Sequence, residues 1–443
     1  MMRRKMLVAL MLCAFILLPV QGTQASRQGA RAPASVVTLR FATYGFDPWS
    51  KIFQQLAVRF QKEHPTIKLQ VIVTTWNTLY TKMQAEAMAH QGVPDVFIMD
   101  PAVLATLADR GILMSLDSFV TAHHMDLSQF YANAITDSRY NTATRTVGSG
   151  NLYALPLTND QDELFFNQSA FDKAHLAYPH EGWTWDQVRN AAIKLTLDTH
   201  GRNPTQRGFD ARHIAQYGFN YAYDRQILEI IEDFGGAVIA PDYKRSIVDQ
   251  PPAVKAITFL ADMYKMHLLP LPGTLTGLAD PFIAGKVAMR LDGDWEVDYY
   301  ANTIKKFTWD IAPVPIGPRG TPWVVGDTNS WSMYAHSQHP NEAWELLSWL
   351  VGSEAMTKYA AQIGLPSLKS AAGAWFGGYA VPAHRALIKK YMRWTHNNQE
   401  GLHESEWRTA LDQNLQAVWL GKVSSAQGAR TTASAIDRIL QSP

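Results

Sequence analysis

The hydrophobic pattern alternates between strand-like and helix-like periods in the first hundred residues. Residues 36–43 are rich in β-branched side chains and predict a buried strand, and residues 69–73 predict another. Apolar residues at helical spacing lie between 49 and 60, and a second helix is predicted over 77–90. Residues 95–99 predict a third strand. This order predicts a parallel sheet of right-handed βαβ units.

The ends of these three strands carry residues suited to ligand contact. Open parallel sheets bind ligands outside the carboxyl ends of their strands. Tyr44 and Gly45 follow the first strand, Trp76 follows the second, and Asp100 follows the third. We predict that these four residues form one rim of a ligand site, with Gly45 allowing close approach of a backbone or ligand. The alternative for each is a turn residue that contacts no ligand.

The alternation of predicted strands and helices begins again near Pro156. A strand is predicted over 164–166, and helices are predicted over 185–195, 226–234 and 253–266. A chain of this length is too long for one compact core. We therefore expect two lobes of ordinary domain size.

The first 25 residues predict export. Three cations at residues 3–5 precede an apolar run over 6–20, which is short for a membrane span. Small residues at 23 and 25 match a signal peptidase site, so we predict a signal peptide over 1–25 and a flexible leader over 26–35. An uncleaved membrane anchor is the alternative.

Composition argues against several function classes. Cleavage after residue 25 would leave 37 basic and 39 acidic residues, a balance that does not attract nucleic acid. The single cysteine, Cys13, lies in the apolar run, so the exported chain would have no disulfide, thiolate metal site or cysteine nucleophile. The sequence has no serine-hydrolase elbow, zinc-protease motif or phosphate loop. The adjacent His123 and His124 are interpreted as a solvated helix end, so no metal or cofactor is expected.

Five sequence stretches follow one another in a characteristic order between residues 60 and 366. Together they resemble the extracellular solute-binding proteins of the maltose-binding type, family 1, which serve sugar ABC transporters. The stretches are Phe60 to Pro65 with Val71 to Trp76; Gly92 to Val96; Leu152 to Pro156 with Leu164 to Asn167 and Trp183 to Asp186; Phe282 to Met289 with Gly293 to Trp295; and Pro340 to Leu350 with Gly364 to Pro366.

The resemblance implies an α/β periplasmic-binding-protein fold of type II, in which two lobes enclose a ligand cleft. Each lobe would be a mainly parallel sheet flanked by helices, and closure would be a hinge motion. The implied bounds are 36–158 plus 330–367 for the first lobe and 159–329 plus 368–443 for the second, with crossing segments near 158–162, 326–331 and 366–371.

The resemblance also implies aromatic contacts to a ligand. Trp295 matches the family's Gly-x-Trp, whose indole commonly stacks on the ligand, and a core tryptophan is the alternative. Trp76 would face it across the cleft, and Trp407 resembles a late aromatic residue that closes the far side. The chain has 14 Trp and 17 Tyr, a surplus useful for stacking on the C–H faces of sugars.

Polar contacts are implied at the crossing segments. Asp160 matches a carboxylate of the family's first crossing, and its neighbour Asp162 is the rival. Gly326 matches a glycine of the second crossing. Asp327 stands where the family usually has a second small residue, so the sequence departs from the family pattern at this contact. Asp100, Asp160 and Asp327 are the carboxylates that we favour for contacts to sugar hydroxyls.

The function implied by the resemblance is solute binding for an ABC importer. The protein would be a periplasmic or cell-surface monomer that delivers a sugar or oligosaccharide to a membrane permease and catalyses no reaction. A secreted glycoside hydrolase is an alternative, because Asp292, Asp294 and Glu296 alternate in one stretch. A sensor partner, or a binder of a polyamine or metal chelate on the same fold, is another.

Overall fold

The computed structural model describes residues 36–45, 47–321, 323–377, 382–392, 395–397 and 401–442. The predicted signal peptide and leader lie outside these residues. Within them, no helix is both long enough and apolar enough to span a bilayer.

Strands and helices alternate through most of the chain. The strands are β1 Val37–Tyr44, β2 Ile67–Thr74, β3 Val96–Met99, β4 Arg139–Asn141, β5 Thr146–Val147, β6 Asn151–Leu152, β7 Leu155–Pro156, β8 Asp160–Asn167, β9 Leu197–Asp198, β10 Ile214–Gln216, β11 Asn220–Tyr221, β12 Met289–Gly293, β13 Trp309–Ala312, β14 Val324–Asp327, β15 Ser330–Met333 and β16 Thr395–Asn397. The α-helices are α1 Asp47–Glu63, α2 Trp76–Met88, α3 Pro101–Asp109, α4 Asp117–Ala122, α5 Ala132–Asp137, α6 Gln168–Lys173, α7 Trp185–Leu195, α8 Asp224–Asp233, α9 Pro251–Lys265, α10 Glu296–Thr303, α11 Pro340–Leu350, α12 Ser353–Lys358, α13 Ala372–Gly377, α14 Ala386–Tyr391, α15 Glu404–Trp419 and α16 Ser425–Leu440.

The first sheet has the strand order β2-β1-β3-β15-β7. β1 runs parallel to β2 and β3, which confirms the predicted βαβ units. β15 returns from late in the chain and pairs antiparallel with β3 and β7. A large hydrophobic cluster surrounds this sheet, with Phe41, Phe97 and Trp331 fully buried in it.

The second sheet has the order β11-β12-β8-β14-β16, and β13 also pairs with β8. The resemblance implies a mainly parallel sheet, but the observed sheet is mixed. β8 is antiparallel to β12, β13 and β14, and only the pairs β11–β12 and β14–β16 are parallel. The reason is that β8 leaves the crossing region as the central strand, and its three neighbours run back toward that region.

The second sheet is covered on both faces. One hydrophobic cluster includes Val188, Ile227 and Leu260 from α7, α8 and α9, together with residues of α15 and α16. The other includes Phe165, Tyr300 and Trp375. The helices predicted here are observed within two residues of their expected bounds. α7 begins where predicted because Thr184 and Gln187 form a capping box.

Three segments lie side by side where the chain passes between the sheets. Thr158 N donates to Asn329 O at 3.1 Å, and Asn159 N donates to Leu365 O at 2.7 Å. Thr158 also forms an isolated bridge with Pro366. The residue bounds of the two lobes stay a prediction. We call the part of the chain around the first sheet the first lobe, and the part around the second sheet the second lobe.

Candidate ligand-binding site

The first-lobe rim consists of Tyr44, Trp76 and Asp100, which come from the carboxyl ends of three adjacent parallel strands. Trp76 Nε1 donates to Asp100 Oδ2 at 2.8 Å, and the Tyr44 hydroxyl lies 3.3 Å from the same oxygen. Asp100 Oδ1 accepts from Ala102 N at 2.9 Å and so caps α3. The strand ends therefore bring together the residues that the sequence predicts there.

The pKa of Asp100 is also affected by charges from the second lobe. Burial raises the pKa of its carboxyl to about 6, and the negative charge of Asp327 contributes to this rise. Arg408 and the hydrogen bond from Trp76 oppose the rise in pKa. Asp327 ends β14 of the second sheet and Arg408 lies on α15, so charges from the second lobe act on a carboxylate of the first lobe.

The second-lobe side of the site is organised by Arg225 at the start of α8. Its guanidinium lies 2.8 Å from Asp327 Oδ2 and 3.2 Å from Asp162 Oδ1, and its carbon Cζ lies 4.9 Å from the ring centroid of Trp295. Arg225 is 3% exposed. A buried cation of this kind holds its carboxylate and aromatic neighbours in place through charge and through contact with the ring face.

Trp295 follows β12 and is half-buried, as is Trp76. Both indoles pack against the hydrophobic cluster of the first lobe, although Trp295 belongs to the chain of the second. The Gly-x-Trp spacing has a steric reason, because a Cβ on Gly293 would lie 1.9 Å from the Trp295 ring. Only glycine at 293 lets the indole fold back in this way.

A second, partly buried cation, Arg408 on α15, completes the polar lining. It lies 2.8 Å from Asp224 Oδ1 and 3.4 Å from Glu404 Oε1. Burial raises the pKa of Glu404 to about 8, with Arg408 acting against the rise and Asp100 and Asp327 adding to it. At this point α15 also contacts the first lobe, since His403 N donates to Thr106 Oγ1 at 3.0 Å.

Asp160 and Asp162 lie in β8 and are each 1% exposed. Asp160 Oδ2 accepts from Thr158 Oγ1 at 2.5 Å, and burial raises the pKa of its carboxyl to about 7. Asp162 accepts from Gln226 Nε2 at 3.0 Å in addition to its contact with Arg225. Both carboxylates are thus committed to contacts inside the protein, and Asp327 is the crossing-segment acid with exposed surface.

The two predicted glycines have packing roles. A Cβ on Gly45 would lie 3.0 Å from Trp49 Cβ, and a Cβ on Gly326 would lie 2.3 Å from Thr395 Cγ2. Gly45 follows Tyr44, a residue of the first-lobe rim, directly in the sequence. Gly326 lies within β14, next to Asp327, where it lets β16 approach.

Trp407 does not reach the rim. It is 1% exposed and lies in the cluster beneath the second sheet with Leu411 and Leu415. Its neighbour Arg408 lies about 100° further around the helix and pairs with Asp224 at the polar site. The aromatic ring therefore offers no surface to a ligand in this structure.

Sequence reasoning missed the two arginines and Glu404. The available signal was electrostatic, because three carboxylates in one site, Asp100, Asp162 and Asp327, require nearby cations to compensate their charge. Among the described residues, no group of three or more His, Cys, Asp or Glu side chains is arranged to hold a metal ion.

Two lobes joined by three adjacent segments, with aromatic rings and charged groups between them, define a class of solute-binding protein. The family model for bacterial extracellular solute-binding proteins matches residues 47–357. The chain belongs to this family.

Relatives and solved structures agree with this assignment. A binding protein of Brucella abortus is 23% identical over 325 residues, which cover 69% of this chain and 70% of the relative. The galactooligosaccharide-binding protein of Bacillus subtilis is 22% identical over 383 residues, covering 83% and 82%. The ABC substrate-binding protein Lmo0181 of Listeria monocytogenes, solved with cycloalternan, has a TM-score of 0.80 at 19% identity and covers 91% of this chain and 99% of its own. This last likeness establishes the shared fold.

Proposed function

We propose that this protein binds a sugar or oligosaccharide between its lobes and delivers it to the permease of an ABC importer. The observation that carries the proposal is the convergence of Trp76 and Asp100 from the first lobe with Trp295, Arg225 and Asp327 from the second. Flat rings suit the C–H faces of a pyranose, and carboxylate and guanidinium groups suit its hydroxyls. The galactooligosaccharide and cycloalternan bound by the two relatives support a carbohydrate.

The energies required are modest. Each hydrogen bond to a charged group contributes about 1.5–3 kcal/mol, and micromolar binding needs about 8 kcal/mol net. Several such bonds and two stacked indoles reach this value. Since the contacts come from both lobes, ligand binding would favour the closed arrangement over an open one.

Binding without catalysis is part of the proposal. Asp292 and Asp294 are fully buried, and Glu296 is 8% exposed. Asp292 bonds to Arg290 at 2.7 Å, and Asp294 Oδ1 accepts from Gln161 N at 3.4 Å. These carboxyls are occupied inside the second lobe, so they do not form an exposed acid and nucleophile pair.

We also propose that the protein acts outside the cytoplasm as a monomer, after removal of residues 1–25. Mass spectrometry of the secreted protein would identify its first residue, and size-exclusion chromatography with light scattering would give its mass. Retention of the segment in membranes would favour the uncleaved anchor.

A thermal-shift screen of the chain from residue 26 tests the function. We expect at least one of maltose, maltotriose, mannobiose, mannotriose, galactobiose and galactotriose to raise Tm, because a ligand of the native state stabilises it by mass action. Trp295→Ala should abolish the shift. Trp349→Ala is the matched control, because Trp349 is another half-buried indole on the first cluster, bonded to Glu63 away from the site.

The screen distinguishes the alternatives. Release of shorter sugars during incubation would favour the hydrolase. A Tm shift with spermidine or a metal chelate, and none with sugars, would keep the fold but reject the proposed ligand class.

A further inference from the structure

A pocket of about 270 Å³ lies on the second lobe. It is bordered by β11, by the loop after α9 and by one face of α15. Its lining includes Tyr221, Tyr264, Asp412, Gln416, Pro270 and Pro272. None of these residues belongs to the site described above.

Two elements that line the pocket carry, or lead directly to, the Arg408–Asp224 ion pair of the site. Asp412 follows Arg408 by four residues of α15, about 6 Å along the helix axis. Tyr221 ends β11 and precedes Asp224, the partner of Arg408, by three residues. One turn of helix is close to the length of one sugar unit. A chain that leaves the cleft past the ion pair would reach the pocket with its next unit.

The lining has the mixed chemistry of a sugar subsite. The hydroxyls of Tyr221 and Tyr264 lie 2.8 Å apart, and neither has another hydrogen-bond partner among the described residues. One hydroxyl proton joins the pair, so the second is available to a guest. Gln416 Nε2 donates to Asp412 Oδ2 at 3.2 Å, and both residues line the same pocket as the two tyrosines.

The residues that line the pocket are held in place by contacts within the protein. Tyr264 stacks on Trp419 with ring centroids 5.2 Å apart. Pro270 and Pro272 restrict the backbone of the loop that lines the pocket, and this loop is anchored at Leu268, whose O accepts from Phe219 N at 3.1 Å. A preformed pocket loses less entropy on binding. Its volume is below the range of about 300–1,000 Å³ that is usual for larger ligands, so it suits a single ring.

We propose that this pocket binds one additional sugar unit of an oligosaccharide whose other units lie in the cleft. The inference rests on the proposed function and refines it, because it assigns the ligand to oligosaccharides with at least one unit beyond those held between the lobes. The Tyr221–Tyr264 pair and Asp412 would contact the hydroxyls of that unit.

Isothermal titration of the chain from residue 26 tests this inference, with paired ligands that differ by one unit: maltose and maltotriose, mannobiose and mannotriose, galactobiose and galactotriose. We expect the longer member of one pair to bind about tenfold more tightly. The double variant Tyr221→Phe/Tyr264→Phe and the single variant Asp412→Asn should each remove most of this gain and leave the Kd of the shorter member unchanged within twofold.

Tyr140→Phe is the matched control, because Tyr140 is a fully buried tyrosine whose hydroxyl bonds to Asp109 in the first lobe. Tyr140→Phe should leave the Kd of the shorter sugar and the Kd of the longer sugar unchanged. A wild-type protein that binds a shorter sugar with no gain from an added unit would overturn the pocket inference alone. Equal loss for both members in the variants would overturn it as well, whereas failure of every sugar to bind would overturn the proposed function and the pocket with it.

Discussion

The two sides of the site are built by different physical means. On the first-lobe side, Tyr44 and Trp76 are neutral aromatic residues that hydrogen-bond one carboxylate, Asp100. On the second-lobe side, Arg225 compensates Asp162 and Asp327 and lies against Trp295. The first side is therefore organised by local strand ends, and the second depends on a buried cation that links residues far apart in the chain.

The largest effect is expected from removing that cation. Arg225→Met would leave Asp162 and Asp327 without their buried counter-charge and should lower the free energy of unfolding by about 3–5 kcal/mol. Urea denaturation of the ligand-free protein would measure this loss. Arg59→Met is the control, since Arg59 pairs with Glu63 and Glu354 on the surface and should cost about 0–1 kcal/mol. Equal losses in the two variants would contradict the distinction between the two sides.

The next effect concerns the position of Trp295. Gly293→Ala would place a methyl group into the indole and displace it, so the sugar found in the thermal screen should bind about tenfold more weakly or worse. Titration calorimetry would give Kd. Gly373→Ala is the matched substitution, because a Cβ there meets no atom within 4 Å. Unchanged affinity in Gly293→Ala would show that the indole position is unimportant for the ligand.

A smaller loss is expected on the first-lobe side. Trp76→Phe keeps an aromatic face but removes the Nε1 donor to Asp100, so Kd should rise roughly fivefold, or about 1 kcal/mol. The Tm of the ligand-free protein should change little. A large fall in Tm would show that Trp76 is chiefly a core residue.

The smallest effect that we expect is a pH-dependent change in the free energy of unfolding caused by Asp100. The pKa of Asp100 is about 6 in the folded protein, above its ordinary 3.8, so its contribution to stability is complete below pH 3.8 and is lost as the pH rises through 6. Asp100→Asn should retain the helix cap. Because an amide does not ionise, the variant should not lose this stability as the pH rises. We expect the variant to gain up to about 1 kcal/mol relative to wild type as the pH rises from about 4 to about 6.5, measured by urea denaturation. No pH-dependent difference would mean that the carboxyl is effectively solvated.

The first-lobe rim could be predicted from sequence because two local rules suffice. Apolar periodicity locates the strands, and the carboxyl ends of adjacent parallel strands must meet. Tyr44, Trp76 and Asp100 therefore lie together as expected. The direction of the strands beside β8 could not be predicted in this way, because it depends on where three later segments return.

The paired residues of the second-lobe side are far apart in the sequence. Arg225 and Asp327 are 102 residues apart, and Arg408 and Asp224 are 184 apart. No local pattern pairs them. Trp407 is different, because residues 407, 411, 415 and 418 form a stripe at helical spacing, all buried. That stripe was visible in the sequence and indicates a core face rather than a cleft residue.

The position of β15 has a consequence for synthesis. This strand lies between β3 and β7, so the first sheet is incomplete until residue 333 has left the ribosome. Until then β3 presents an unpaired edge, the kind of surface at which nascent chains associate wrongly. Delayed folding of the first lobe until translation has passed residue 333 would keep this edge from forming before its partner strand is available.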